Sequence, residues 1–168
     1  MIIVFGGVEI SLRTFSTLKG LPVYCNESAD LLGHIVDITI SEEGIVFGLL
    51  MDGKGLFHRD RFIPIESIHA LGENGVMVHD RKMLFSIHDM KESYIYNTYD
   101  DLHNKTVLTR EGEKLGLLED VYFSEQMGTI EAYKLTDGFF ADISEGKKVV
   151  KASGDPFTLS KDAIVIDL

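Results

Sequence analysis

Apolar residues along this chain fall in short runs rich in β-branched side chains, broken by single glycines and acidic turns, a pattern of strands rather than helices. Ile35-Val36-Asp37-Ile38-Thr39-Ile40 reads as a strand, which Glu42-Glu43-Gly44 turns into Ile45-Val46-Phe47-Gly48-Leu49-Leu50-Met51 and Asp52-Gly53 turns again. Phe62-Ile63-Pro64-Ile65 suits an edge or a strand start, because proline donates nothing to a central ladder. Asn74-Gly75 is a hairpin signal leading into Val76-Met77-Val78. Together these predict a meander of about five or six short strands in which long helices have no place.

The pattern then repeats. Leu32-Gly33-His34-Ile35-Val36-Asp37-Ile38 returns 83 positions later as Leu115-Gly116-Leu117-Leu118-Glu119-Asp120-Val121, and Ser41-Glu42 returns as Ser124-Glu125. The offset grows to 84 from Gly44 to Gly128 and to 85 from Asp52-Gly53 to Asp137-Gly138. A one-residue slip exchanges strand faces, so each step calls for a loop insertion or a bulge, unless the later matches are chance. Val76-Met77-Val78 resembles Ile164-Val165-Ile166 near the end of the second copy. The expected organisation is a first domain over residues 12–79, a packed connecting segment over 80–100 and a more divergent second domain over 101–168. Within that connection Met83-Leu84-Phe85-Ser86-Ile87 reads as another strand. Tyr94-Ile95-Tyr96 and Tyr99 are too aromatic for a free linker and are expected to pack the two units together.

Leu32-Gly33-x-x-x-Asp37-Ile38 and Leu115-Gly116-x-x-x-Asp120-Val121, with Leu18-Lys19-Gly20-Leu21-Pro22-Val23 and Phe62-Ile63-Pro64-Ile65-Glu66-Ser67-Ile68, resemble the PRC-barrel family. That family is named for the cytoplasmic domain of the photosynthetic reaction-centre H subunit. The resemblance implies an all-β fold: two tandem small antiparallel barrels with few short helices. Members include that subunit and the C-terminal half of a ribosome-maturation factor, where the domain is mainly a binding platform. The chain shows neither the membrane helix of the first nor the RNA-associated domain of the second, and its second copy lacks the Phe-Ile-Pro-Ile segment. The fold therefore transfers more securely than a function.

In a β-meander Gly33 and Gly116 mark places where a side chain would obstruct the backbone. Asp37 and Asp120, four residues on, are expected on the same face as the glycines, accepting backbone or hydroxyl hydrogen bonds at the barrel mouth. These four residues read as a structural motif.

Composition narrows the function. Sixteen Lys and Arg against 27 Asp and Glu give a net charge of −11, which disfavours general nucleic-acid binding. Cys25 is the single cysteine, so no intramolecular disulfide can form, and no stretch is apolar for long enough to span a membrane. A cytoplasmic protein is expected, in which the sequons at Asn26 and Asn104 carry no meaning.

Candidate chemistry is sparse. His58-Arg59-Asp60 imitates a kinase catalytic tripeptide without the remaining kinase signatures, and Gly112-Glu113-Lys114 lacks the rest of a phosphate loop. Residues 54–61 are the most basic stretch, and Phe57, His58, Arg59 and Arg61 form a candidate interaction loop for a partner's acidic group. His79-Asp80 and His88-Asp89 would be metal ligands only if the fold joined them. No nucleophile elbow occurs.

The expectation is a non-catalytic protein-interaction or scaffold module with no cofactor, binding another protein and able to form a homodimer. The alternatives are a ribosome-maturation or RNA-processing accessory that binds a basic ribosomal protein, and a small-molecule or metal-binding protein.

Overall fold

The computed structural model describes residues 2–5, 8–41, 43–53, 60–93, 97–125, 128–137, 148–154 and 157–168. The first half contributes β1 (Ile2–Phe5), β2 (Val8–Thr14), the one-turn helix α1 (Phe15–Leu18), β3 (Pro22–Cys25), β4 (Leu31–Ile40), β5 (Val46–Met51), β6 (Arg61–Pro64), β7 (Ile68–Leu71) and β8 (Val76–Val78). A connection holds β9 (Phe85–Ser86) and α2 (Ile87–Ser93). The second half follows as β10 (Asn97–Thr98), α3 (Tyr99–Leu102), β11 (Thr106–Thr109), β12 (Lys114–Ser124), β13 (Ile130–Thr136), β14 (Lys148–Lys151), β15 (Thr158–Leu159) and β16 (Ala163–Ile166). The fold is all-β, as expected. The strand expected over Met83–Ile87 shrinks to two residues, because Ile87 already opens α2.

Neither half is a simple meander. In the first, β8 returns to lie parallel to β3, pairing Val23 with Val76; in the second, β16 returns to β11, pairing Val107 with Ile164. The likeness of Val76-Met77-Val78 to Ile164-Val165-Ile166 therefore reflects equivalent places in the two sheets. β14 takes the place of β6 beside the central hairpin, although its sequence, Lys148-Val149-Val150-Lys151, shares nothing with Phe-Ile-Pro-Ile.

Each half also lends strands to the other. β2 pairs with β12, setting Thr14 opposite Tyr122, and β10 pairs with β4, setting Thr98 opposite Thr39. The two hairpin turns meet in the same reciprocal way. The Val46 amide donates to the Gly128 carbonyl at 2.8 Å, and the Ile130 amide donates to the Gly44 carbonyl at 3.3 Å. The core is correspondingly continuous, since one apolar cluster holds Phe15, Ile35, Ile38 and Leu49 of the first half with Leu118, Val121, Phe123 and Ile164 of the second. Small β units bury too little surface to be securely stable alone, and a shared core supplies the deficit.

The drifting offset has a local origin. Ser41 to Gly44 spans four residues where Ser124 to Gly128 spans five, so the first step is an insertion in the hairpin turn. The bulges are common to both copies: β4 carries one at Val36 and β12 one at Glu119. The later Asp-Gly match does not mark equivalent positions. A Cβ on Gly33 would meet the Asp52 carbonyl, whereas one on Gly116 would meet the carbonyl of Thr136, not of Asp137.

Gly128 lies directly against the other half's turn. Its φ is +69°, and a Cβ there would sit 1.8 Å from the Val46 carbonyl oxygen. Gly112 has a similar φ of +86° with nothing within 4 Å of its would-be Cβ. Gly112→Ala is therefore expected to cost only the backbone strain, about 1 kcal/mol. Gly128→Ala should cost about 3 kcal/mol or more, because the turns must also separate. Urea unfolding of the two variants beside the parent measures the difference.

Candidate functional site

Two places deserve chemical scrutiny: the seam, which holds the repeated aspartates, and the outer face of the first half's sheet.

At the seam, α1 and α3 are one-turn helices whose first amides have no partner within the helix. Each is met by an aspartate from the opposite half. Asp120 accepts from the Phe15 amide at 3.0 Å through Oδ1 and from the Ser16 amide at 3.1 Å through Oδ2. Asp37 accepts from the Tyr99 amide at 3.0 Å through Oδ1. Each Oδ1 also takes the amide of the next residue, Ile38 at 2.7 Å and Val121 at 2.8 Å. Phe15 and Tyr99 meet ring to ring, with centroids 4.4 Å apart, and the Tyr99 hydroxyl donates to the Glu119 carbonyl.

The aspartates are therefore at the seam, not at a barrel mouth, and the bulge explains it. Ile35, Ile38 and Ile40 face the core, a spacing that alternation alone forbids, so the extra residue at Val36 turns Asp37 to the face opposite Gly33. Glu119 does the same for Asp120 and Gly116. Gly33 and Gly116 stay against the backbone of the neighbouring strand; at Gly33 a Cβ would lie 2.1 Å from the Asp52 oxygen. We propose that these four residues build and join the halves and carry no chemistry of their own.

Burial pushes the Asp37 carboxyl above the ordinary carboxylate range; the Ile38 amide opposes the shift and the nearby Asp100 charge adds to it.

The second place is an apolar patch separate from the main core. Leu50, Phe62 and Met90 are buried together, with Val36, Phe47 and Ile87 packed against them. α2 lies across part of this face, and β9 extends the sheet by pairing with the start of β6. What they leave uncovered is a cleft of ≈ 500 Å³ lined by Phe47, Phe62, Pro64, Phe85 and Met90, with Glu66 and Asp89 among its walls. Phe85 is 52% exposed, a high value for an aromatic side chain. A second cleft of ≈ 530 Å³ shares Asp89 and runs on past Asp60, Ser86, Ile87 and His88.

Among its described residues the second half shows no equivalent apolar cluster. Strand register makes Glu119 the counterpart of Val36, Glu131 of Phe47 and Lys134 of Leu50, while Val149 replaces Phe62. Lys134 and Glu119 form an ion pair at 3.5 Å where the first half has apolar contact. The duplicated sheet is thus apolar on one outer face and charged on the other.

Of the candidate loop, Phe57, His58 and Arg59 lie outside the described residues. Arg61 is exposed at the start of β6 and does not line either cleft. The histidine pairs do not come together as a metal site: His79 packs edge-on to His69, with centroids 4.9 Å apart. Among the described residues no three ligating side chains converge. None of the described helices is long and apolar enough to cross a membrane.

The sequence profile of the PRC-barrel domain matches this chain twice, over residues 12–85 and over residues 95–167. The chain belongs to the PRC-barrel family. It carries the domain as a tandem pair. It is also 31% identical over 163 residues to "Uncharacterized protein YrrD" of Bacillus subtilis (strain 168), a match spanning 95% of this chain and 90% of that protein. Both PRC copies keep the Gly and Asp motif, and among the described residues the cleft is lined from the first copy and the connection after it. The motif was prominent in the sequence because it repeats. The cleft residues Phe47, Phe62, Phe85 and Met90 belong to no repeated motif; their signal lies between the copies, in the exchanges Val36 to Glu119 and Phe47 to Glu131.

The two aspartates predict different responses. Asn at position 37 retains an oxygen for the Tyr99 and Ile38 amides, gives up the bond from the Asp100 amide and removes a buried charge that Asp100 opposes. The gain offsets much of the loss, so Asp37→Asn should lie within about 1 kcal/mol of the parent near pH 7. Asp120→Asn turns an amide donor toward the Ser16 N–H or leaves it unmet, and should cost about 1–3 kcal/mol. The pH dependence has a definite sign. A carboxyl whose pKa is raised by folding binds its proton more tightly when folded, so its contribution to stability is lost as pH rises through that raised value. Urea midpoints measured from about pH 4 to 7 should show this decline in the parent and a smaller one in Asp37→Asn.

Proposed function

We propose that the protein is a non-catalytic interaction module: two joined PRC-barrel halves forming a scaffold that holds another protein against the outer face of the first half. The observation that carries this reading is the asymmetry between the copies. Duplication supplies two equivalent outer faces, and on one of them Glu119 and Lys134 form an ion pair, each side chain about a quarter exposed, with Glu131 at the position of Phe47. On the other, apolar residues persist at the same positions, and the exposed ring of Phe85 borders an open cleft. Apolar surface left open beside polar residues is the usual mark of a contact site. A cleft of roughly 300–1,000 Å³ is large enough to seat bulky side chains, and this one falls within that range.

The test is photo-crosslinking in the cells that make the protein. With p-benzoylphenylalanine at Phe85, a discrete protein adduct is expected. With the same group at the exposed Val149 of the second half, none is expected. No adduct from either position, or equal adducts from both, would sink the reading.

A further inference from the structure

The cleft's walls also bear on what enters it. Resting on the interaction reading above, we infer that the occupant is a short protein segment carrying one or two bulky apolar side chains flanked by lysine or arginine.

The argument is from shape and charge together. The two clefts share Asp89 as a lining residue and lie beside β9 and α2, so an extended segment could reach from one into the other where a compact molecule would fill only one. The apolar floor, Phe47, Phe62, Phe85 and Met90, provides the anchoring contact, because desolvated aromatic and aliphatic anchors dominate interface energies. Around it stand Glu66, Asp89 and Asp60, and among the described residues lining either cleft there is no lysine or arginine. A segment with acidic flanks would bring like charges together at these positions; one with basic flanks meets opposite charge at each. The chain's net charge of −11 adds a long-range field of the same sign, which speeds the encounter with a basic segment and repels an acidic one.

Rim charges on an exposed trough act mainly on encounter rate and salt dependence, whereas the apolar anchor sets the lifetime of the complex. The two contributions should therefore separate experimentally. Three fluorescein-labelled peptides share a Leu-Phe core and differ in their flanks, which are Lys/Arg, Ser/Gly or Asp/Glu. Anisotropy titrations use the full-length protein at about 50 mM and about 300 mM salt, where the screening length shortens to a few ångströms.

The basic peptide is expected to bind about tenfold more tightly than the acidic one at low salt, from two or three exposed charge pairs acting together. The advantage should shrink at high salt. Phe85→Ser should abolish binding at both salts, while Glu66→Lys with Asp89→Lys should remove only the preference for basic flanks. If that double variant fails to fold by circular dichroism, Glu66→Gln alone should reduce the preference in part.

Equal or tighter binding of the acidic or neutral peptide, still lost in Phe85→Ser, overturns the basic occupant and leaves the interaction face standing. Binding of the basic peptide unaffected by Phe85→Ser places it elsewhere and overturns both. Absence of binding by all three peptides, with an adduct still formed from Phe85 in cells, overturns the occupant's chemistry alone.

Discussion

A helix of a single turn makes almost no hydrogen bonds of its own, and its first amides have to be met from outside. In this protein both such helices are met across the seam: the amides of Phe15 and Ser16 by Asp120, and that of Tyr99 by Asp37. Much of the architecture follows from that exchange. β2 and α1 must reach the second half's sheet, β10 and α3 must reach the first's, and the hairpin turns at Gly44 and Gly128 are drawn into contact between them. The continuous core is the packing consequence of the same crossing. A buried carboxylate aimed at amides is favourable only if the amides are in place, so the seam favours one arrangement of the halves and penalises others.

The pair is symmetric in position and asymmetric in chemistry. Both aspartates meet the first amides of the opposite helix, and Asp37 in addition has the Asp100 charge beside it. Duplicated sequences often drift in this way, each copy keeping the geometry while its electrostatic surroundings change. The outer faces show a larger version of the same drift. Among the described residues, the face bearing Glu119 and Lys134 carries an ion pair, while the face bearing Val36, Phe47 and Leu50 carries apolar contact and the cleft.

Much of the fold was legible in the chain. Strands, turns and the doubling followed from β-branched runs, Asn-Gly and Asp-Gly pairs, and the recurring Leu-Gly-x-x-x-Asp. Two things were not. The bulges at Val36 and Glu119 invert the face of the next residue, and nothing in either side chain announces a bulge, so Asp37 and Asp120 were assigned to the glycine face. The crossing of strands was hidden as well, because Thr14-Phe15 and Thr98-Tyr99 read equally well as belonging to either half. The cleft had a signal that lay between the copies and not within either one: an apolar residue in one paired with a charged residue in the other.

The crossing of β2 has a consequence for how the chain is made. Leu12 pairs with Ser124, a separation of 112 residues, so β2 emerges from the ribosome long before β12 exists. At roughly 5–20 residues per second the wait is about 5–20 s. During that interval Val8–Thr14 has β1 on one edge and lacks β12 on the other, an open edge at risk of pairing elsewhere. The β2–β12 part of the join thus cannot close until residues 122–124 have been made, whereas the β4–β10 part needs nothing beyond residue 98. The long-range contacts the join requires place this small protein among slow folders, despite the local hairpins from which it is built.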